Sequence, residues 1–220
     1  MVIDKKGGHQ IEISGQNLIL LPEKAIFWVQ QNLLILSDLH LGKASHFRKS
    51  GIPVPLKVFQ KDLDCLSNLL NYYQPESILY LGDLFHSDHN VEFEKFTEWM
   101  SQYKMVKMEL VRGNHDILPA IWYKDSGIKV YPIATQKGPF VFAHDPAENL
   151  PSNNYVFSGH LHPGVKLRGN GRQSLSLPCF YFGAQQALLP AFGEFTGLAM
   201  IRPSKNDLVF VIGDGKVHKV

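Results

Sequence analysis

The sequence predicts an α/β chain, one domain built on two sheets. Three observations carry this. Residues 26 to 116 alternate apolar runs of strand length with two stretches of helical spacing. From Phe140 onward, strand-like runs follow one another with little helical pattern between them. The 220 residues hold no repeat, no low-complexity tract and no linker of the kind that separates domains.

In order, Ile11-Glu12-Ile13 and Leu18-Ile19-Leu20 flank Ser14-Gly15-Gln16-Asn17, the pattern of a hairpin. Ala25 to Val29 and Leu33 to Leu36 form a second pair across Gln30-Gln31-Asn32. Residues 41–54 mix Gly, Ser, Lys, Arg and Pro without periodicity and read as loop. Pro55 suits the first turn of a helix. Leu56, Phe59, Leu63, Leu66 and Leu70 then fall three or four apart, an amphipathic helix to about Tyr73. Ile78 to Leu81 is a short strand, Phe93, Phe96, Met100 and Tyr103 mark a second helix, and Met108 to Val111 is the next strand. In the second half Phe140 to Ala143, Tyr155 to Ser158, Ser174 to Phe182, Leu198 to Ile201 and Leu208 to Ile212 are strand-like. Arg168-Gly169-Asn170-Gly171-Arg172 is a turn; no strand-to-helix context makes it a dinucleotide loop.

Composition narrows the function. Lys and Arg total 22 against 20 for Asp and Glu, a net charge of +2, which excludes a polycation holding nucleic acid by bulk charge and leaves a local basic patch open. A hydrophobic share of 45% excludes a disordered chain. Cys65 and Cys179 are far apart in no metal spacing, against a disulfide scaffold or thiolate zinc site and consistent with a reducing compartment. No run reaches the roughly 18 apolar residues of a membrane span, and Met1 to Gly8 lead into no signal-peptide core. The expectation is a soluble cytoplasmic protein. The ten histidines are the unusual feature, because imidazole builds cores poorly and gathers at metal sites.

Those histidines fall where chemistry is expected. Successive strands run into Asp38 and His40, into Asp83, into Asn114-His115-Asp116, into His144, and into His160-Leu161-His162. Sites gather at the carboxyl ends of strands in open α/β sheets, which would bring these distant residues to one edge. Carboxylate, imidazole and amide oxygen without thiolate suit Mn, Fe or Zn rather than Ca or Mg. Gly82, Gly113 and Gly159 each precede a candidate ligand, and glycine permits the tight or positive-φ turn that aims the next side chain across the edge. Singly, each fragment is ordinary: an Asp-x-His is commonly surface decoration and a Gly-Asp a turn. Together, in this order and each at a strand end, they point to a metal site.

These motifs, Ser37-Asp38-Leu39-His40, Gly82-Asp83, Gly113-Asn114-His115-Asp116, His144 and Gly159-His160-Leu161-His162, closely resemble those of the calcineurin-like metallophosphoesterases. Further segments resemble the DNA ligase-associated metallophosphoesterase subgroup: Leu41-Gly42-Lys43, Phe47 to Pro55, Gly82-Asp83-Leu84-Phe85-His86-Ser87 and Leu189-Pro190-Ala191-Phe192-Gly193. The resemblance implies one domain over residues 1–220, a four-layer α-β-β-α sandwich with two mixed sheets and the metals at one edge. It implies two divalent ions, Mn²⁺ first with Fe or Zn as alternatives. Asp38, His40, Asp83 and His162 would hold one ion and Asp83, Asn114, His144 and His160 the other, with Asp83 bridging. His115 would protonate the leaving oxygen, oriented by Asp116, or else only support the ligands.

The wider family often has Asp three residues after the bridging Asp, where this chain has His86, which leaves three roles open: contact with substrate, support of a ligand, or a place on the surface. Lys43, His46, Arg48 and Lys49 leave the metal edge and could meet flanking phosphates of a substrate, unless they are simply a solvated basic loop. Trp28, Trp99 and Trp122 are expected to pack, not to stack bases. The subgroup resemblance implies a phosphodiesterase or nuclease in DNA repair, associated with a DNA ligase, a helicase and an exonuclease-like protein. Alternatives on the same fold are a small-molecule phosphatase, a cyclic-nucleotide phosphodiesterase and a non-catalytic protein-binding scaffold.

Overall fold

A computed structural model describes residues 7–43, 47, 51, 57–86, 91–146, 154–169, 171, 173–194 and 196–220. The first half gives β1 (His9–Ile13), β2 (Gln16–Leu20), β3 (Ile26–Trp28), β4 (Leu33–Leu36), α1 (Lys57–Tyr73), β5 (Ser77–Leu81), α2 (Val91–Ser101), β6 (Lys107–Val111), α3 (Ala120–Ser126) and β7 (Lys129–Tyr131). Its strands form one sheet in chain order, antiparallel from β1 to β4 and parallel from β4 to β7. The first hairpin turns at Ser14 and Gly15 with φ of 50° and 73°, the positive pair that a two-residue turn matched to strand twist requires.

The second half gives β8 (Ala134–Lys137), β9 (Phe140–Ala143), β10 (Tyr155–Ser158), β11 (Pro163–Arg168), β12 (Ser174–Phe182), β13 (Gln186–Leu188), β14 (Ala199–Met200), β15 (Leu208–Gly213) and β16 (Lys216–Lys219). These form a second sheet in the order β14-β11-β12-β13-β10-β9-β8, with β15 on β12 and β16 on β15. Both sheets are mixed. The expected strands and the two amphipathic helices are present; α3, β7, β8, β11, β13 and β16 are additions, and Asn170 and Arg172 of the expected turn lie outside the described residues. Pro55 and most of the 41–54 loop lie outside the described residues.

Two cores follow from strand periodicity. Leu34 and Leu36 of β4 face the helices, among Phe59, Leu63, Leu66 and Leu70 of α1 and Phe93, Phe96 and Met100 of α2. Leu33 and Ile35, on the opposite face of the same strand, enter the inter-sheet core with Trp28, Phe140, Phe142, Phe157 and Phe180. A parallel strand covered on both faces is mostly apolar, which is why β4 and the Ile78–Leu81 part of β5 read as continuous apolar runs; β6 carries one buried charge, Glu109, answered by Lys137 at 2.8 Å and by the Tyr131 hydroxyl. The described helices all lie on the first sheet. On the outer face of the second sheet the described residues show a small cluster around Val165, Cys179, Val209 and Val211 and no helix, so the described layers run helix, sheet, sheet. Trp28 and Trp99 are buried and Trp122 packs edge-on to Phe85, so all three tryptophans are packing residues. Neither Cys65 nor Cys179 is in a disulfide.

The segment after β13 stitches the sheets together at one edge. Leu189 donates its N–H to Ser158 at the end of β10 (2.8 Å), and Ala191 bridges to Ser37 beyond β4. Phe192 and Gly193 donate to the carbonyls of Ser37 and Asp38 (2.8 and 3.2 Å). Lys24 reaches the Phe192 carbonyl at 3.3 Å beside the buried Asp62. Burial, then the Glu194 carboxylate, push the Asp62 carboxyl up to about 7 from its ordinary 3.8. The folded chain therefore keeps a proton that the unfolded chain releases, and stability from this group is lost as pH rises from about 4 to about 7. Asp62→Asn is expected to flatten that part of the stability profile, read from urea midpoints across the range. An unchanged slope would remove Asp62 as its cause.

Candidate metal centre

The ends of β4, β5, β6, β9 and β10 meet at the stitched edge and bring the sequence-selected residues together there. Two triads form. Ligand atoms of Asp38, His40 and His162 lie within 4.8 Å of one another, as do those of Asp83, His144 and His160. Asp83 stands between them: Oδ2 is 4.0 Å from His40 Nε2 and Oδ1 is 3.5 Å from His144 Nε2. Asn114 is exposed at the same edge, in the turn after β6.

The surrounding bonds orient these ligands. The Ser37 hydroxyl and the His160 N–H (3.0 Å) both donate to Asp38 Oδ2. That leaves Oδ1 facing His162 Nε2 at 3.2 Å and His40 Nε2 at 4.0 Å. Those three atoms are buried and make no hydrogen bond among the described residues, a costly arrangement unless something completes it. His144 Nδ1 donates to the Leu81 carbonyl at 2.8 Å, which directs the Nε2 lone pair toward His160 Nδ1, 3.1 Å away. Burial, then the Lys43 ammonium, push the His40 imidazole down to about 3, so it is neutral and its lone pair is free. Burial alone would raise the Asp38 carboxyl, but His162, His144 and Ser37 outweigh it and hold it below its ordinary value. Convergent donors that include an ionised Asp38, a neutral His40 and buried lone pairs left unanswered are what divalent cations require.

The backbone is strained here. Of the ten non-glycine residues with left-handed φ among the described residues, five are Asp38, His40, Asp83, His160 and His162, at 48° to 63°. Each costs about 1 kcal/mol or more, and such strain concentrates at functional sites. The turns are thus made largely by the ligands themselves, a correction to the role expected of their glycines. Gly82 does have positive φ, 78°, but neither Gly113 nor Gly159 does. Those two allow close approach: a Cβ on Gly159 would meet the Ser37 hydroxyl and Asp38 Oδ2, and one on Gly113 would meet Asp83. Gly159→Ala is expected to displace Asp38, lowering stability by about 1–3 kcal/mol and weakening metal binding. Thermal melts and metal titration check this, and wild-type values in both would refute it.

His115 is exposed at the rim, with its backbone N–H held by Asp83 Oδ1 at 2.9 Å. Its ring lies 4.4 Å, centroid to centroid, from His86 and 5.7 Å from His40. His86 is therefore half-buried at the metal edge, against His115 and His40. Asp116 differs from expectation. Its carboxylate accepts the N–H groups of Phe85 (3.0 Å) and Gly113 (2.8 Å), and among the described residues it makes no bond to the His115 ring. It shapes the loop that carries His115 without touching the imidazole, and burial pushes its carboxyl up to about 7. Lys43 is half-buried with its charge close to Asp38 and Asp83. His46, Arg48 and Lys49 lie outside the described residues. Sequence reasoning included Ser37 in the first motif without giving it the role of fixing Asp38, and it missed Lys24, which holds the stitching segment; a lone lysine carries no periodic signal.

A family model for calcineurin-like phosphoesterases matches residues 32–174. The chain belongs to the calcineurin-like phosphoesterase family. Membership implies a metal-dependent phosphoester hydrolase, and the two triads are its candidate metal positions. Among solved structures, this phosphoesterase is similar to Pseudomonas putida nuclease MPE, with 32% identity, TM-score 0.83, and cover of 97% of this chain and 100% of that one. It also matches the Escherichia coli phosphoesterase Yfce at 18% identity and TM-score 0.47, covering 86% of this chain and 97% of that one. AQ665 from Aquifex aeolicus matches at 20% identity and TM-score 0.41, covering 64% and 82%. These last two likenesses are too loose to carry an argument. Compared by sequence with curated proteins, the chain matches none. No helix among the described residues is long and apolar enough to cross a membrane.

Proposed function

We propose that this phosphoesterase is a two-metal phosphodiesterase acting on nucleic acid, DNA in the first instance. The observation that carries the reading is the pair of triads with Asp83 between them, on a chain similar over nearly its whole length to a nuclease. Asp38, His40, Asp83 and His162 would hold one ion, and Asp83, Asn114, His144 and His160 the other, with Mn²⁺ favoured by the donor set and Fe or Zn compatible with it. Such a pair, when bound, supplies Lewis-acid stabilisation of a phosphate and a water made acidic enough to attack it.

The chain's own residues do the rest. His115 donates a proton to the leaving oxygen. Its N–H bond to Asp83 and its contact with the His86 ring set its place relative to the triads. Asp116 holds the loop through Gly113 and Phe85. Lys43, at the carboxylates, and the Arg48-Lys49 pair would meet phosphate charge. With a net charge of +2, affinity for a polyanion has to come from such local contacts. The likeness of its motifs to the DNA ligase-associated subgroup supports reading it as one domain over residues 1–220 that would work in DNA repair in the cytoplasm, in association with a DNA ligase, a helicase and an exonuclease-like protein.

Turnover with added Mn²⁺ tests the proposal. Bis-p-nitrophenyl phosphate and an oligonucleotide are expected to be hydrolysed in preference to p-nitrophenyl phosphate. Preference for the monoester would overturn it in favour of a small-molecule phosphatase. Inertness toward all three with two ions bound would overturn it in favour of a scaffold.

A further inference from the structure

We propose that a cavity behind the His115 loop seats a nucleotide unit flanking the scissile phosphodiester. The inference rests on the phosphodiesterase reading and adds a substrate subsite to it. The cavity has a volume of about 320 Å³, at the small end of ligand pockets. Leu118, Ile128 and Val130 give it apolar walls, and Arg112, Tyr123 and Lys124 supply its polar groups.

Each of these groups can donate: Arg112 and Lys124 are exposed at the mouth and the Tyr123 hydroxyl lies buried. Arg112 gives Nε–H to the Asp116 carbonyl at 2.8 Å, and its terminal amino groups make no hydrogen bond among the described residues. Lys124 forms no ion pair with a described carboxylate. The Tyr123 hydroxyl is buried, and its proton has no acceptor among the described residues. No carboxylate lines the cavity. Two positive charges and a free hydroxyl proton against apolar walls call for an anion rich in acceptors on a largely apolar body. Inorganic phosphate would leave the walls uncovered, and a hydrocarbon would leave the buried Tyr123 hydroxyl unanswered. A nucleotide satisfies both, its phosphate at Arg112 and Lys124 and its base, with ring and carbonyl acceptors, against Leu118, Ile128 and Val130.

Connectivity ties the cavity to the reaction. Arg112 begins the loop that contains His115, and its side chain bonds the carbonyl of the next residue along, Asp116. Its backbone N–H is fixed to Tyr131 of β7 at 2.9 Å. The same loop is tied to the triads through the His115 N–H, which bonds Asp83 Oδ1 at 2.9 Å. The adjacent phosphate along a nucleic-acid strand would then reach them while the base between occupies the cavity.

The test compares substrates on variants chosen to spare the fold. Ala120 is exposed at the cavity rim, so Ala120→Trp fills the space from outside. Lys124→Ala removes one charge. Both are expected to raise KM for an oligothymidine by about tenfold or more, with kcat nearly unchanged. Lys124→Ala should also make the salt slope of oligonucleotide binding shallower by about 0.7. Metal content and melting temperature should match wild type. Unchanged oligonucleotide KM, or equal loss on bis-p-nitrophenyl phosphate, would overturn the subsite while leaving the phosphodiesterase reading intact. If wild type hydrolyses no diester, that reading fails, and calorimetry with thymidine 5′-monophosphate decides the cavity alone. Binding that Ala120→Trp abolishes supports it, and no binding to wild type overturns it.

Discussion

Asp83→Asn is expected to empty both metal positions, with an affinity loss exceeding the roughly 10–100-fold typical of removing a mere supporting partner. Asp83 is the carboxylate that faces both triads, Oδ2 toward His40 and Oδ1 toward His144. An amide in its place has one oxygen, no charge, and an NH₂ that repels a cation. The change removes the negative charge that would sit between two dications, so each ion is felt by the other without screening. It also disturbs His115, whose N–H is held by Asp83 Oδ1. His40→Ala is the control, since His40 belongs to one triad only and should lower one occupancy. Elemental analysis after dialysis reads both. Two tightly held ions per chain in Asp83→Asn would show that the carboxylate does not bridge.

His115→Ala is expected to separate chemistry from metal binding. Both triads are complete without the His115 ring, so metal content should stay at the wild-type value. For an alkoxide leaving group, loss of a positioned general acid should cut kcat by roughly 10²–10⁴-fold. For p-nitrophenolate, which leaves without a proton, the loss should be far smaller. Equal losses on both esters would assign His115 a structural role. Asp116→Asn sharpens the comparison, because Asp116 accepts bonds from Gly113 and Phe85 and makes none to His115. Its effect should fall on both substrates alike, through displacement of the loop.

Much of this was legible because the relevant physics is local. The 3.6-residue spacing of Leu63, Leu66 and Leu70 required a helix with one buried face. The continuous apolar runs of β4 and β5 required strands covered on both sides. The helix α3 was not legible by that route: seven residues are too few for a period. Only its punctuation, Pro119 before it and left-handed Gly127 after it, marks its ends. The three-residue strand β7 has no pattern of its own and exists because β6 offers it a parallel partner.

The sequence by itself determined which side chains could serve a metal site. Asp38, His40, Asp83, His144, His160 and His162 each stand where an apolar run ends, and that boundary is written in residue order. What only the tertiary structure decided is how they are aimed and held. Asp116 turned out to bind backbone rather than imidazole, and His86 to lie beside His115. Gly113 and Gly159 proved necessary for the space they leave, not for their torsions. The physical reason is the range of the interactions. Periodicity acts over a few residues and can be read along the chain. The contacts that orient the site join residues such as Asp38 and His160, 122 positions apart, and come into being only when the two sheets close on each other.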